Sequence, residues 1–257
     1  MESGKPRRLL KPLNWYKSLG TAKERQEACA FLVEGERAVQ QITVYHAAEV
    51  IEILAIPEIA GDYTSFPVRQ LTATQISSLS SSKTPQGIMA VVQIPKETSS
   101  SKLPQDPGTR VLLLEHVQDP GNLGTIIRTA AAFGFSGIIM SDKTADPFAA
   151  KVVQSTAGSV LSLWIRRTAD YLALARSLSS SGYEIAAADL NGACDTTVLQ
   201  GISKLVLALG NEAAGLGNEV LQMASCRVKI AIDRSRAESL NVAISGAILM
   251  YLAAGNA

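Results

Sequence analysis

Histidine, cysteine and net charge are all scarce in this chain, and each scarcity removes a class of function. His46 and His116 are the only imidazoles in 257 residues, so a His-based metal site or a Ser-His-Asp hydrolase is poorly supported. Cys29, Cys194 and Cys226 are isolated, with no two at metal-ligand spacing, which points to free thiols and a reducing compartment. A formal net charge of +1 announces no polyanion partner, so any nucleic-acid contact has to come from local patches. No apolar run reaches the roughly eighteen residues of a membrane span, and the basic start lacks the apolar core of a secretory signal. The expected setting is the cytoplasm, or an organellar stroma or matrix if a targeting segment ahead of Met1 has been removed. Nucleotide-binding fingerprints are missing too: neither G-x-G-x-x-G nor G-x-x-x-x-G-K-[ST] occurs.

What is present is a chain of 47% hydrophobic residues, enough for one large domain or two ordinary ones. Charge is unevenly spread. Residues 1 to 25 hold Lys5, Arg7, Arg8, Lys11, Lys17, Lys23 and Arg25 against Glu2 and Glu24, a basic arm that is either solvated or in contact with RNA. Leu13 to Ala28 reads as a polar helix, Phe31 to Gly35 as a strand and turn, and Glu36 to Ile42 as a helix. Ile51 to Ile56, Pro67 to Leu71 and Gly87 to Ile94 read as strands, and Thr72 to Leu79 as a helix. This gives a small α/β module over residues 1–95. Pro95 to Thr109 is rich in Ser, Pro and charge without an apolar period, so residues 96–109 are expected to be a linker.

Residues 110–257 follow a more regular alternation. Strand-like runs at Val111 to Glu115, Gly137 to Ser141, Leu161 to Ile165, Tyr183 to Ala188, Lys204 to Leu209 and Arg227 to Ile232 alternate with helical ones, the pattern of a parallel sheet covered by helices. The first run is nearly continuously apolar, as in a strand buried on both faces. After it, Leu123, Ile126, Ile127, Ala130 and Ala131 recur at helical spacing. The last helix, Ser239 to Ala254, is apolar nearly all round, and the expected cover for its second face is another subunit.

Three polar stretches stand at the ends of strands, where open α/β sheets bind ligands. The first is Asp119-Pro120-Gly121-Asn122-Leu123-Gly124, with Arg128 six residues after the Asn, opposite the apolar stripe. The second is Leu209-Gly210-Asn211-Glu212. The third runs from Ile230-Ala231-Ile232 through a charged loop to Glu238-Ser239-Leu240-Asn241-Val242, with Ser239 where an N-cap would sit. Singly, each residue has an ordinary structural explanation: a solvated Arg, a Gly turn with a capping Asn, a helix cap.

Taken together and in this order, the three stretches resemble the motifs of the SpoU family, the TrmH-like RNA 2′-O-ribose methyltransferases. The resemblance covers Val111 to Ala254 almost throughout, including Asp146-Pro147 and Lys151-Val152-Val153. Phe31-Leu32-Val33-Glu34-Gly35 and Thr84-Pro85-Gln86-Gly87 look like marks of the RNA-binding domain that precedes the catalytic domain in many members. The resemblance implies a trefoil knot in the C-terminal domain, which general folding rules treat as a rare exception. It also implies a homodimer whose sites are completed by both subunits, and an RNA substrate, ribosomal RNA being favoured over transfer RNA. S-adenosylmethionine would be held by Leu209, Gly210, Asn211, Ile230, Ile232 and Leu240. By the same resemblance Arg128 is catalytic, with Asn122, Glu212, Ser239 and Asn241 arranging substrate, cofactor or Arg128 itself.

The reaction so implied passes a methyl from a sulfonium to a ribose 2′-oxygen by in-line displacement; it needs no metal, but it needs the nucleophile held close and its proton removed or screened. Deprotonating a guanidinium near pH 7 costs roughly 7 to 8 kcal/mol, so a clamp on the adjacent phosphate is as physical a role for Arg128 as that of a base. One departure from the family pattern supplies a second reading. Ile230-Ala231-Ile232 replaces the usual Ile-Pro-Met, and the loop after it is charged rather than Gly-rich. That would suit an RNA- or ribosome-binding protein whose knot no longer turns over.

Overall fold

Two β-sheets organise the chain in a computed structural model that describes residues 11–255. The first is built from α1 (Leu13–Ser18), α2 (Ala22–Ala28), β1 (Ala30–Glu34), α3 (Glu36–Tyr45), β2 (Val50–Ala55), α4 (Pro57–Ala60), β3 (Val68–Gln70), α5 (Ala73–Leu79) and β4 (Ile88–Gln93). Its order is β1-β4-β2-β3, antiparallel except for the β2–β3 pair. The second contains β5 (Arg110–Leu114), α6 (Pro120–Ala132), β6 (Gly137–Ser141), α7 (Ala150–Thr156), β7 (Trp164–Thr168) and α8 (Tyr171–Ser180). It continues through β8 (Glu184–Ala188), β9 (Leu205–Leu209), α9 (Asn218–Met223), β10 (Cys226–Val228) and α10 (Val242–Ala254). All six of its strands are parallel, in the order β10-β8-β9-β5-β6-β7. The α/β class with a parallel C-terminal sheet, expected from the apolar runs, is the observed one. The strand order turns back at β5 and β9, the kind of switch point where open sheets form a crevice.

The central strands explain the geometry. β9 and the Val111–Leu114 stretch of β5 are fully buried, so their backbone groups must pair within the sheet and their side chains pack on both faces. Leu112, Leu114, Leu207 and Leu209 face α6 and α10 in one apolar cluster, while Val111, Leu113, Val206 and Ala208 face α8 in another. Gly124 lets α6 approach α7, because a Cβ there would stand 2.5 Å from that of Ser155 and 2.6 Å from the Val152 carbonyl oxygen. The larger cluster also takes in Phe31, Val39 and Ile42 of the first sheet, and Phe31 meets Phe148 ring to ring at 4.9 Å. The two sheets therefore share one core.

Several expectations are revised by the structure. The single helix over Leu13 to Ala28 is two helices, broken at Leu19–Thr21, where the Thr21 hydroxyl accepts the Glu24 N–H and starts α2. Arg25, counted with the basic arm, is buried: its guanidinium donates to the Leu19 and Gly20 carbonyls and pairs with Asp146 at 2.5 Å. Lys5, Arg7 and Arg8 lie outside the described residues, whereas Lys11, Lys17 and Lys23 are exposed. The strand expected at Leu161 to Ile165 begins at Trp164, because Ser159–Leu161 is a 3-10 turn. The strand expected to reach Ile232 ends at Val228, so Ile230 and Ile232 lie in an irregular segment beyond the sheet. The final helix starts at Val242 and is capped by Asn241, not Ser239.

Residues 96–109 run along the second sheet with many attachments. Ser101 donates to Asp170 at 2.7 Å, the Lys102 carbonyl accepts from Arg166 at 2.8 Å, and the Pro107 carbonyl accepts from the Trp164 indole at 3.1 Å. Tyr183 donates to the Gly108 carbonyl. Among the described residues no helix is long and apolar enough to cross a membrane.

Candidate active site

The loop after β5 begins with Glu115 and a backbone reversal at His116, whose φ of 58° is left-handed and unusual for a side-chain-bearing residue. Two hydrogen bonds hold it there. The His116 N–H donates to the Ser141 hydroxyl at 3.0 Å, and its carbonyl accepts from the Asn211 side-chain amide at 2.9 Å. Such over-determined backbone is common beside functional sites. Asp119 then caps α6, accepting the Asn122 N–H at 2.8 Å, with Pro120 in the first helical position.

Asn122 is the hub of the site. Its amide donates to Glu212 at 3.0 Å, and its carbonyl oxygen accepts from the Asn241 amide at 2.9 Å. Those partners lie 90 and 119 residues away in sequence. Asn241 spends its own carbonyl oxygen on the N–H groups of Ala243 and Ile244 at 2.8 and 3.3 Å, so the cap of α10 and the link to α6 are one side chain. Glu212 also receives the Asp119 N–H at 3.4 Å. Arg128, two turns into α6, is exposed, and no hydrogen bond or ion pair engages it among the described residues.

The Gly210 turn is tight. A Cβ on Gly210 would run into the backbone of Gly215 and Leu216. Asn211 and Gly215 exchange backbone hydrogen bonds at 3.0 and 2.9 Å, and the Asn211 side-chain Oδ1 accepts from the N–H groups of Ala213 and Ala214. Asn211 is therefore the head of an Asx turn rather than a helix cap, since the next helix, α9, starts at Asn218. Leu209 is buried, Ile230, Ile232 and Leu240 are half-buried, and Ser239 is exposed and makes no hydrogen bond among the described residues. The charged loop is folded on itself: Asp233 accepts from the Ser235 hydroxyl at 2.6 Å and pairs with Arg236 at 3.2 Å. Those Ser235 donors hold the Asp233 carboxyl below its usual range. Arg234 reaches back to the Leu190 carbonyl at 2.6 Å.

The structure thus unites Asn122, Glu212 and Asn241, with Arg128 on the same helix as the hub. Three further residues were given no role from sequence. Asp119 carries a readable signal, an Asp-Pro pair ahead of an apolar period. Glu115 and Tyr171, joined at 2.6 Å, carry none beyond a charge at the end of an apolar run.

The C-terminal part of this arrangement, residues 109–251, matches the model of the SpoU rRNA methylase family. The chain belongs to the SpoU rRNA methylase family. Residues 14–90 match the MRM3-like substrate binding domain. Among relatives of this SpoU chain is the 23S rRNA (guanosine(2553)-2′-O)-methyltransferase RlmP of Bacillus subtilis, 33% identical over 239 residues, 92% of this chain and 93% of that one. Among solved structures, the SpoU methyltransferase AviRb from Streptomyces viridochromogenes in complex with AdoMet superposes with a TM-score of 0.81 at 26% identity, over 94% of this chain and 96% of that one. An AdoMet-bound rRNA methyltransferase from Sinorhizobium meliloti does so with a TM-score of 0.80 at 30% identity, over 94% and 93%. The likeness to these two structures therefore extends over both sheets.

Proposed function

We propose that this chain is an S-adenosylmethionine-dependent methyltransferase that modifies a ribose 2′-hydroxyl in structured RNA, with ribosomal RNA as substrate. The carrying observation is the Asn241–Asn122–Glu212 chain of hydrogen bonds, which gathers three separate motifs around the helix that bears Arg128. Family membership and the names of the relatives point the same way. The residues present fit the cofactor: a turn at Gly210 too tight for a side chain, which offers backbone groups, and the half-buried apolar side chains of Ile230, Ile232 and Leu240. When bound there, S-adenosylmethionine supplies an activated methyl group.

In this reading Arg128 meets the RNA, either clamping the phosphate beside the target ribose or drawing off the hydroxyl proton, while Asn122, Glu212, Ser239 and Asn241 arrange the groups around it. Leu209, Gly210, Asn211, Ile230, Ile232 and Leu240 hold the methyl donor. Residues 1–95 form the RNA-binding module and 110–257 the catalytic one, with the C-terminal segment threaded as a trefoil knot. The partner is a second copy of the chain, and the setting is the cytoplasm or an organellar matrix. Transfer of labelled methyl from S-adenosylmethionine to ribosomal RNA, mapped to one ribose, tests the proposal. Transfer RNA methylated instead would move the substrate. Failure to bind S-adenosylmethionine at millimolar concentration would favour an RNA-binding protein without turnover, the reading that Ile230-Ala231-Ile232 and the charged loop suggest.

A further inference from the structure

Glu115 ends the apolar run of β5 as its one acidic residue, yet it is only 5% exposed. A carboxylate at that depth needs a cation or good donors. Among the described residues no ion pair reaches it. Two donors do: the Tyr171 hydroxyl at 2.6 Å and the Gly217 N–H at 2.6 Å. Burial, reinforced by the bond to Glu115, pushes the Tyr171 phenol above its ordinary value, so it stays protonated and remains a donor. Gly217 leaves no slack, because a Cβ there would stand 3.1 Å from the carboxylate. The backbone N–H of Glu115, meanwhile, donates to the Leu209 carbonyl at 2.9 Å.

One residue therefore grips both ends of the segment from Leu209 to Gly217. Between those ends lie Gly210, Asn211 and Glu212, and Glu212 receives the amide of Asn122. The carboxylate works from the opposite face of the sheet: its neighbours Tyr171 and Leu216 belong to the cluster of Val111 and Leu113, whereas Leu209 packs with Leu112 and Leu114. It makes no hydrogen bond to Asn122, so any effect on the hub passes through the loop.

We infer that Glu115 is a positioning residue, which through Gly217 fixes the 209–217 loop in the register that cofactor binding and methyl transfer require. The inference rests on the methyltransferase reading given above. The test uses the full chain and measures S-adenosylmethionine affinity by calorimetry, RNA affinity, and kcat for methyl transfer. All are taken well below the melting temperature, for wild type, Glu115→Ala, Glu115→Gln and Tyr171→Phe.

Glu115→Ala is expected to weaken cofactor binding and lower kcat by about ten-fold or more, the effect of removing a charge-assisted hydrogen bond, with RNA affinity unchanged. Glu115→Gln retains most activity, because its amide oxygen still accepts from Gly217 and its NH2 group can donate to the Tyr171 oxygen. Tyr171→Phe falls between the two. A Glu115→Ala protein that melts lower but keeps wild-type kcat and cofactor affinity overturns the inference. If Glu115→Ala fails to fold, a Tyr171→Phe variant with unaltered kcat and cofactor affinity overturns it instead. A wild-type chain that binds the cofactor but methylates no RNA defeats the functional reading alone, and cofactor affinity then still decides the role of Glu115.

Discussion

The side-chain amide of Asn241 donates to the carbonyl oxygen of Asn122 at 2.9 Å across 119 residues of chain. This bond joins the N-terminal end of the last helix to the helix that carries Arg128, and it uses both ends of both amides, since Asn122 passes its own N–H on to Glu212 at 3.0 Å. The orientation of each amide is thereby dictated by its neighbours.

Replacing Asn122 with Asp tests that relay. The substitution keeps size and the acceptor toward Asn241 but removes the donor toward Glu212 and sets two carboxylates face to face. Methyl transfer should fall by about a hundred-fold or more, close to 3 kcal/mol in the barrier, because the groups around Arg128 lose their arrangement. The melting temperature should hardly move, because the pair is on the surface. Single-turnover methylation and thermal unfolding of the same preparation separate the two effects, and near-normal turnover would sink the relay.

Arg128 is exposed and unengaged in the free chain, so its removal should cost function and not stability. Arg128→Ala should lose methyl transfer on the true RNA. Arg128→Lys should recover little of it, because a point charge does not reproduce the planar fork of donors. If both variants keep wild-type turnover, Arg128 has no part in the chemistry.

Much of the fold was legible in the sequence because burial imposes period. The continuous apolar runs of β5, β6 and β9 and the Leu123, Ile126, Ile127, Ala130 stripe of α6 appear where they were read. Misreadings cluster where long-range partners decide. Ser239 and Asn241 are both good caps two residues apart, and Asn241 is the one that caps α10, where it also meets Asn122. Arg25 looked like one more charge in a basic arm because its partner, Asp146, is 121 residues further on. The motif residues of the site could be named, but the anchoring of their loops by Glu115 and His116 depends on contacts between strands that no local pattern encodes.

Gly210→Ala should be unusually damaging for so small a change. The added methyl has only the Gly215 and Leu216 backbone to push against, and backbone cannot rotate aside. A loss of roughly 1–3 kcal/mol of stability is expected from such overpacking, together with loss of S-adenosylmethionine binding. Gly201→Ala, where nothing lies within 4 Å of the added carbon, is the matched control and should bind normally. Equal cofactor affinity in the two variants would count against a cofactor-binding role for the Gly210 turn.

Arg25→Ala should destabilise the chain by roughly 3–5 kcal/mol, because it removes the buried half of a charged pair and strands Asp146 and two backbone carbonyls. Lys23→Ala, two residues away and exposed, should change stability by less than about 0.5 kcal/mol. Urea unfolding of both variants provides the comparison. Similar midpoints would mean that the contact between the two sheets does not depend on Arg25.

The last helix is apolar on two faces, and among the described residues α6, the Thr196–Gly201 turn and β9 pack against it without covering both. Ala243, Gly246, Leu249, Met250 and Ala253 are buried against the rest of the chain, with Gly246 set close to Leu209. On the other side Ile244 is 51% and Tyr251 56% exposed, with half-buried Ile248 between them, one i, i+4, i+7 stripe. Fully burying a large apolar side chain is worth about 1.5–3 kcal/mol, so a second copy meeting this stripe would gain several times thermal energy from these residues alone. The wild-type chain should therefore sediment as a dimer at micromolar concentration. Ile244→Glu combined with Tyr251→Glu should sediment as a monomer with its secondary structure intact, since neither side chain is needed in the core. A wild-type monomer, or a double variant that remains dimeric, would show that this face of α10 is not where two copies meet.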